Sequence, residues 1–133
     1  MKKLFFALLA CLCFGIAEAE PLFYRASAFA YKCLDENDHW EEWSEWEPSK
    51  IVVSFDTDKE TITIYSEQEQ RYIILGREDD EKDQADGEQI ELWVVDQDGD
   101  TGLIRVRAQK NSVLQLYVEF DNIMWVYSDL KPI

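Results

Sequence analysis

The sequence predicts an all-β fold: an antiparallel up-and-down meander of about eight strands, rolled into a small barrel or curved half-barrel, with a β-sandwich as the alternative. Three observations lead there. Apolar and polar residues alternate with a period of two along most of the chain, the pattern of strands with one buried face. The connectors are short and rich in Asp, Asn and Gly, which suits hairpin turns. No stretch beyond residue 19 carries a convincing helical pattern.

The elements follow in order. Residues 22–32 are rich in aromatics and alanine and form the first strand. In residues 51–55, Ile51, Val53 and Phe55 share one face. Residues 61–66 set Ile62 and Ile64 against Thr61, Thr63 and Tyr65, and residues 71–77 have a centre from Tyr72 to Leu75 that reads as buried. Further on, Ile90, Leu92 and Val94 oppose Gln89, Glu91 and Trp93, while Ile104, Val106 and Ala108 oppose Arg105 and Arg107. Leu114, Leu116, Val118 and Phe120 oppose Gln115, Tyr117 and Glu119, and residues 123–127 close the series. Turns fall at Asp56-Thr57-Asp58-Lys59, Asp98-Gly99-Asp100, Lys110-Asn111 and Asp121-Asn122. Such short loops pair sequence neighbours as antiparallel strands. The sheet must then curl to cover its inner face and hide its edges.

The first nineteen residues read as an export signal. Lys2 and Lys3 precede an apolar run over residues 4–17, and Ala17-Glu18-Ala19 puts small residues where a signal peptidase reads. The run is too short and wrongly flanked for a membrane span. Two units are therefore expected, a signal peptide over 1–19 and a single β-domain over 20–133. The destination is the periplasm or the exterior. A lipid anchor on Cys11, after Leu8-Leu9-Ala10, is the alternative; against it, the apolar run continues where a polar tether belongs.

Lys2, Lys3 and Glu18 leave with the signal, so 13 basic and 28 acidic residues become 11 and 27, a net charge of −16. That charge repels phosphate backbones and disfavours nucleic acid. Cys33 remains as the one mature thiol, so no disulfide partner is expected and the core must supply the stability. The acidity is concentrated. Residues 35–47 hold seven acidic residues and no Lys or Arg; residues 78–88 hold seven against one lysine and read as a solvated loop.

The first acidic segment carries the candidate site. Trp40, Trp43 and Trp46 recur every third residue. On a regular strand Trp40 and Trp46 share a face and Trp43 opposes them; in a polyproline-like segment all three align. An exposed indole row among carboxylates suits sugar rings or a cationic group. The competing reading makes these rings core that caps an end of the barrel.

Other features reduce to structure. Asp96-Gln97-Asp98-Gly99-Asp100 starts like a calcium loop, but its glycine is at position 4 and Arg107 stands at position 12, so a hairpin turn is expected. Cys33 and His39 lack a third orienting residue, and one Cys with one His cannot build a zinc site. No cofactor is implied. Arg105 and Arg107 are expected outward, paired with Glu91 or Glu119.

The mature chain resembles small secreted β-proteins of Gram-negative gut bacteria of the Bacteroides type. The resemblance rests on Trp43-Ser44-Glu45-Trp46-Glu47-Pro48-Ser49, on Thr61-Ile62-Thr63-Ile64-Tyr65-Ser66 with Gln70 and Tyr72, on Val95-Asp96-Gln97-Asp98-Gly99, and on Leu114-Gln115-Leu116-Tyr117-Val118. It implies an exported all-β protein and carries no functional residue across.

The expected function is a non-enzymatic binding or interaction module that uses Trp40, Trp43 and Trp46, helped by an outward Trp93 or Trp125. Its partner is a protein, a glycan or a small apolar ligand. A lipocalin-like carrier of a small apolar ligand is the first alternative, although inward Phe55, Leu116 and Phe120 argue for a filled interior. A small hydrolase with a carboxylate pair is the second.

Overall fold

A computed structural model describes residues 20–79, 87–109, 111 and 113–133. The signal segment, Cys11 and the middle of the second acidic stretch lie outside the described residues. All regular structure within them is strand, eleven in one antiparallel sheet. No helix there is long and apolar enough to cross a membrane.

The predicted meander occupies most of the sheet. Strands β4 (Val52–Asp56), β5 (Thr61–Tyr65), β6 (Gln70–Asp79), β7 (Gly87–Val95), β8 (Thr101–Gln109), β9 (Leu114–Glu119) and β10 (Ile123–Ser128) pair in sequence order. Turn chemistry sets their ends. Asp56 Oδ1 accepts the Lys59 N–H at 3.1 Å, and Asp96 Oδ1 accepts the N–H groups of Asp98 and Asp100, both at 2.9 Å. Gly99, at φ 87°, supplies the left-handed residue of that second turn. The segment that starts like a calcium loop is thus the hairpin turn expected of it.

Four expectations need correction. The acidic stretch over 78–88 is not wholly loop: Glu78 and Asp79 extend β6 and pair with Glu91 and Ile90 of β7. Leu75 is an extra residue in this pair, where the register shifts between Ile74 and Gly76. The centre from Tyr72 to Leu75 is not buried throughout: Tyr72 and Ile74 pack on the core, whereas Ile73 and Leu75 are exposed, because the strand alternates between its two faces. The strand count rises to eleven, because the first strand divides and two short edge pieces are added.

That division governs the architecture. Residues 22–32 are not one strand but β1 (Leu22–Arg25) and β2 (Ala28–Cys33), separated by Ala26 and Ser27. β1 pairs with β4, whereas β2 pairs with β10. Eight inter-strand steps separate β1 from β2 in the sheet order. A flat sheet would put them about 38 Å apart at about 4.8 Å per step, yet Arg25 and Ala28 can be no more than about 11 Å apart along the chain. The sheet therefore curls until its two ends meet. Its hydrogen-bonded order does not close: β11 (Lys131–Pro132) lies outside β1 at one end and β3 (Glu47–Pro48) outside β2 at the other. Each edge strand is two residues long and contains a proline, which limits further pairing.

The inner face holds the core. Val53, Phe55, Ile62, Ile64, Leu92, Ile104 and Leu116 are completely or almost completely inaccessible, and residues from Tyr24 to Leu130 join them in one cluster. These are the apolar positions of the alternating strands, so the period-two pattern is the cause of the enclosed interior. Gly102 sits where a side chain has no room: a Cβ there would lie 2.8 Å from the Glu119 carbonyl oxygen and 2.8 Å from the Phe120 ring.

Candidate functional site

The segment carrying the tryptophans runs antiparallel along the free edge of β2. Trp40 bridges Leu34, the Glu41 N–H donates to the Cys33 carbonyl at 2.9 Å, and the Ser44 N–H donates to the Tyr31 carbonyl at 2.8 Å. Ser44 Oγ in turn accepts the Tyr31 N–H at 2.9 Å. The pairing then continues as Glu47 with Phe29 and Pro48 with Ala28. Between Trp40 and Glu47 the register slips by two residues, since 34 and 40 sum to 74 whereas 29 and 47 sum to 76. An irregular strand of this kind twists, which frees its side chains from strict alternation.

The slip explains how Trp40 and Trp43 come together. Lys32 Nζ lies 5.4 Å from the Trp40 ring centre and 4.7 Å from that of Trp43. Trp43 also meets Tyr117 of β9 edge-on at 6.0 Å, and the Arg105 guanidinium lies 4.8 Å over the Tyr117 ring. Two cations and three aromatic rings thus form one outer cluster, with each cation against the negative face of a ring. Arg105 also approaches Glu119 at 3.9 Å, as its outward position predicts.

Register places Lys32, Met124 and Glu119 on this outer face, together with Ala30, Val126 and Tyr117. Ala30, Met124 and Val126 are 1%, 6% and 2% exposed, although none belongs to the inner core cluster. The tryptophan segment spans this face from Lys32 to Tyr117, and Arg105 reaches Met124 Sδ at 3.5 Å. Trp40 and Trp43 are 37% and 39% exposed, and Trp46 is 54% exposed. The structure therefore brings Trp40 and Trp43 together and, among the described residues, gives Trp46 no ring partner. None of the three caps an end of the inner core.

The inner face of the same strands carries a second aromatic group. Phe29 and Tyr31 of β2, Trp125 and Tyr127 of β10, and Tyr72 of β6 line an open cleft of about 690 Å³ at one end of the curled sheet. Trp125, expected to face outward, points inward instead: it pairs with Val118 and Tyr31 and stacks on Phe120 at 6.1 Å. Phe29 lies between Tyr31 and Tyr127, at 6.1 and 5.4 Å. Gln70 ties the cleft together. Its Nε2 donates to Ser66 Oγ at 3.0 Å and to Tyr127 Oη at 3.2 Å, while its Oε1 accepts the Tyr72 hydroxyl at 2.6 Å. Burial pushes the Tyr72 hydroxyl well above its ordinary pKa, and Tyr127 and Asp96 raise it further. Burial also raises Tyr127, partly offset by Gln70 and Trp125 beside it. Both phenols stay neutral and able to hydrogen-bond across the physiological range. Sequence reading missed this cleft, because each of its aromatic residues is an ordinary strand residue when read locally.

The remaining candidates do not assemble a reactive centre. Cys33 is a half-buried free thiol, and no hydrogen bond joins its side chain to His39. The backbone of His39 is held by Asp35, whose Oδ1 accepts its N–H at 3.0 Å. Among the described residues, no group of three or more His, Cys, Asp or Glu could hold a metal ion. Trp93 is exposed on the outer face of β7, away from the other tryptophans. No protein-family model, curated protein or solved structure matches the chain.

Proposed function

We propose that this chain is an exported, non-enzymatic interaction module that presents the edge segment bearing Trp40, Trp43 and Trp46 to a cationic partner. In this reading residues 1–19 are removed as a signal peptide, and the curled sheet of residues 20–133 is a half-barrel scaffold. One observation carries the functional part. The indoles are not on a slack loop: backbone hydrogen bonds to β2 and the Lys32 ammonium hold Trp40 and Trp43, while all three rings keep exposed surface. An aromatic surface ordered before binding loses little entropy when a partner arrives. Glu41, Glu42, Glu45 and Glu47 surround it, so a lysine or arginine side chain is attracted over distance and then meets a ring face.

Hexa-arginine peptide tests the reading against simple charge attraction. Trp46→Ala keeps every charge and should leave the melting temperature nearly unchanged. Its affinity for the peptide should fall by about 3–10-fold, the size of one lost cation–ring contact. Equal affinity for both proteins would mean that net charge alone attracts the peptide, and the tryptophan reading would fall.

A further inference from the structure

We propose that the cleft on the inner face is a second binding site, and that it takes a neutral saccharide ring. The site is independent of the tryptophan edge and lies on the other side of the same strands. Its volume, about 690 Å³, falls within the range of small-molecule sites. The hydrogen bond from Gln70 to Tyr127 joins β6 to β10 beneath the cleft, although these strands are four steps apart in the sheet. The cleft is therefore formed by the curl itself and needs no closing movement.

The lining decides the class of ligand. One wall is aromatic, from Phe29, Tyr31 and Trp125; the opposite wall is the polar turn from Ser66 to Gln70. A pyranose ring has the matching asymmetry. Its axial C–H groups, slightly positive, lie well on the negative face of an aromatic ring, and its equatorial hydroxyls reach polar groups at the edge. A flat aromatic ligand would want rings on both walls. A fatty chain would want an apolar tunnel, but the space beneath the cleft is filled by the core and its floor carries the hydroxyls of Tyr72 and Tyr127. An anion finds no cation: among the described residues the lining holds no Lys, Arg or His, it includes Glu67, and the chain carries −15.

The polar atoms are also set in advance. Gln70 is fixed by its three side-chain hydrogen bonds, and Tyr127 Oη accepts one of them, which leaves its own O–H to donate. Tyr72 donates to Gln70, which leaves its oxygen free to accept. A hydroxyl that both donates and accepts, as a sugar hydroxyl does, complements this pair.

The test is a titration followed by the indole N–H resonance of Trp125, assigned with Trp125→Phe. The probes are methyl β-D-glucopyranoside and methyl β-D-galactopyranoside, with glucuronate and 1-octanol as counter-probes. At least one glycoside should shift the resonance saturably, with a Kd of about 10 mM or tighter. Tyr31→Ala should weaken that binding by about 5-fold or more, as loss of a ring contact does. Trp46→Ala should leave it unchanged, which separates this site from the tryptophan edge. The proposal is overturned if neither glycoside gives a saturable shift, if glucuronate or octanol binds as tightly, or if Tyr31→Ala binds like the parent protein.

Discussion

An aromatic cluster lies against each face of the ladder formed by β2, β10 and β9, and the two clusters differ in how they are completed. On the outside, Trp40, Trp43 and Tyr117 already hold the cations Lys32 and Arg105. On the inside, Phe29, Tyr31 and Trp125 face a cleft with no cation in its lining. The difference shows that a row of aromatics is not by itself a vacancy. Rings that have recruited the protein's own charges serve first as cover for Ala30, Met124 and Val126. Rings whose polar neighbours bond one another, as Gln70, Tyr72 and Tyr127 do, leave a shaped space.

Substitutions can break or sharpen that contrast. The largest effect is expected at Gly102, where an added methyl meets the Glu119 carbonyl, fixed in the ladder, and the Phe120 ring. Gly102→Ala should cost about 2–3 kcal/mol in urea unfolding. It should also disturb the inner cluster, because Phe120 stacks on Trp125 and contacts Tyr72. Next is Trp43→Ala, which uncovers the outer layer and releases Lys32. A loss of about 2 kcal/mol is expected, between a surface change and the removal of a fully buried ring. A negligible loss would show that Trp43 does not cover the outer layer.

The inner phenols should show themselves in alkali. Below the ordinary phenol pKa of 10.0 they are protonated in the folded and unfolded chain alike, so they add no pH dependence. Above it the unfolded chain loses protons that folded Tyr72 and Tyr127 retain, and stability falls as pH rises. Unfolding measured between about pH 9 and 11 should decline less steeply for Tyr72→Phe than for the parent protein. The smallest effect is expected for Tyr31→Ala. Tyr31 is 43% exposed at the mouth, and its loss should change stability by no more than about 0.5 kcal/mol. If Tyr31→Ala cost as much as Trp43→Ala, the contrast between cover and cleft would be lost.

The meander was legible because burial on one face writes itself into alternate residues. Ile62 with Ile64, and Leu116 with Val118, are inaccessible as their spacing implies. The split of the first strand was not legible. Ala26 and Ser27 contain no glycine or proline to announce a change of partner, and which strands receive β1 and β2 depends on how far the sheet has curled. The tryptophans could be picked out by residue type, but not their contacts. A two-residue slip in register brings Trp40 and Trp43 to one lysine, and no local pattern records a slip. The cleft was hidden for another reason. Its residues come from three separate stretches of chain, and the inward direction of Trp125 follows from its pairing with Val118 rather than from its neighbours in sequence.

The shared position of β1 and β2 has a consequence for the order of folding. Ala28 pairs with Ser128, one hundred residues later, and Tyr24 pairs with Pro132. β1 can pair with β4 early, but β2 must wait for β10, near the end of the chain, before its long ladder can form. Until then both ends of the growing meander offer unpaired N–H and C=O groups to any strand that comes near. Contacts this distant in sequence slow the search for the native state, so the dangerous interval for this protein is the one before β2 docks on β10. A chaperone that held residues 22–33 extended would protect it best.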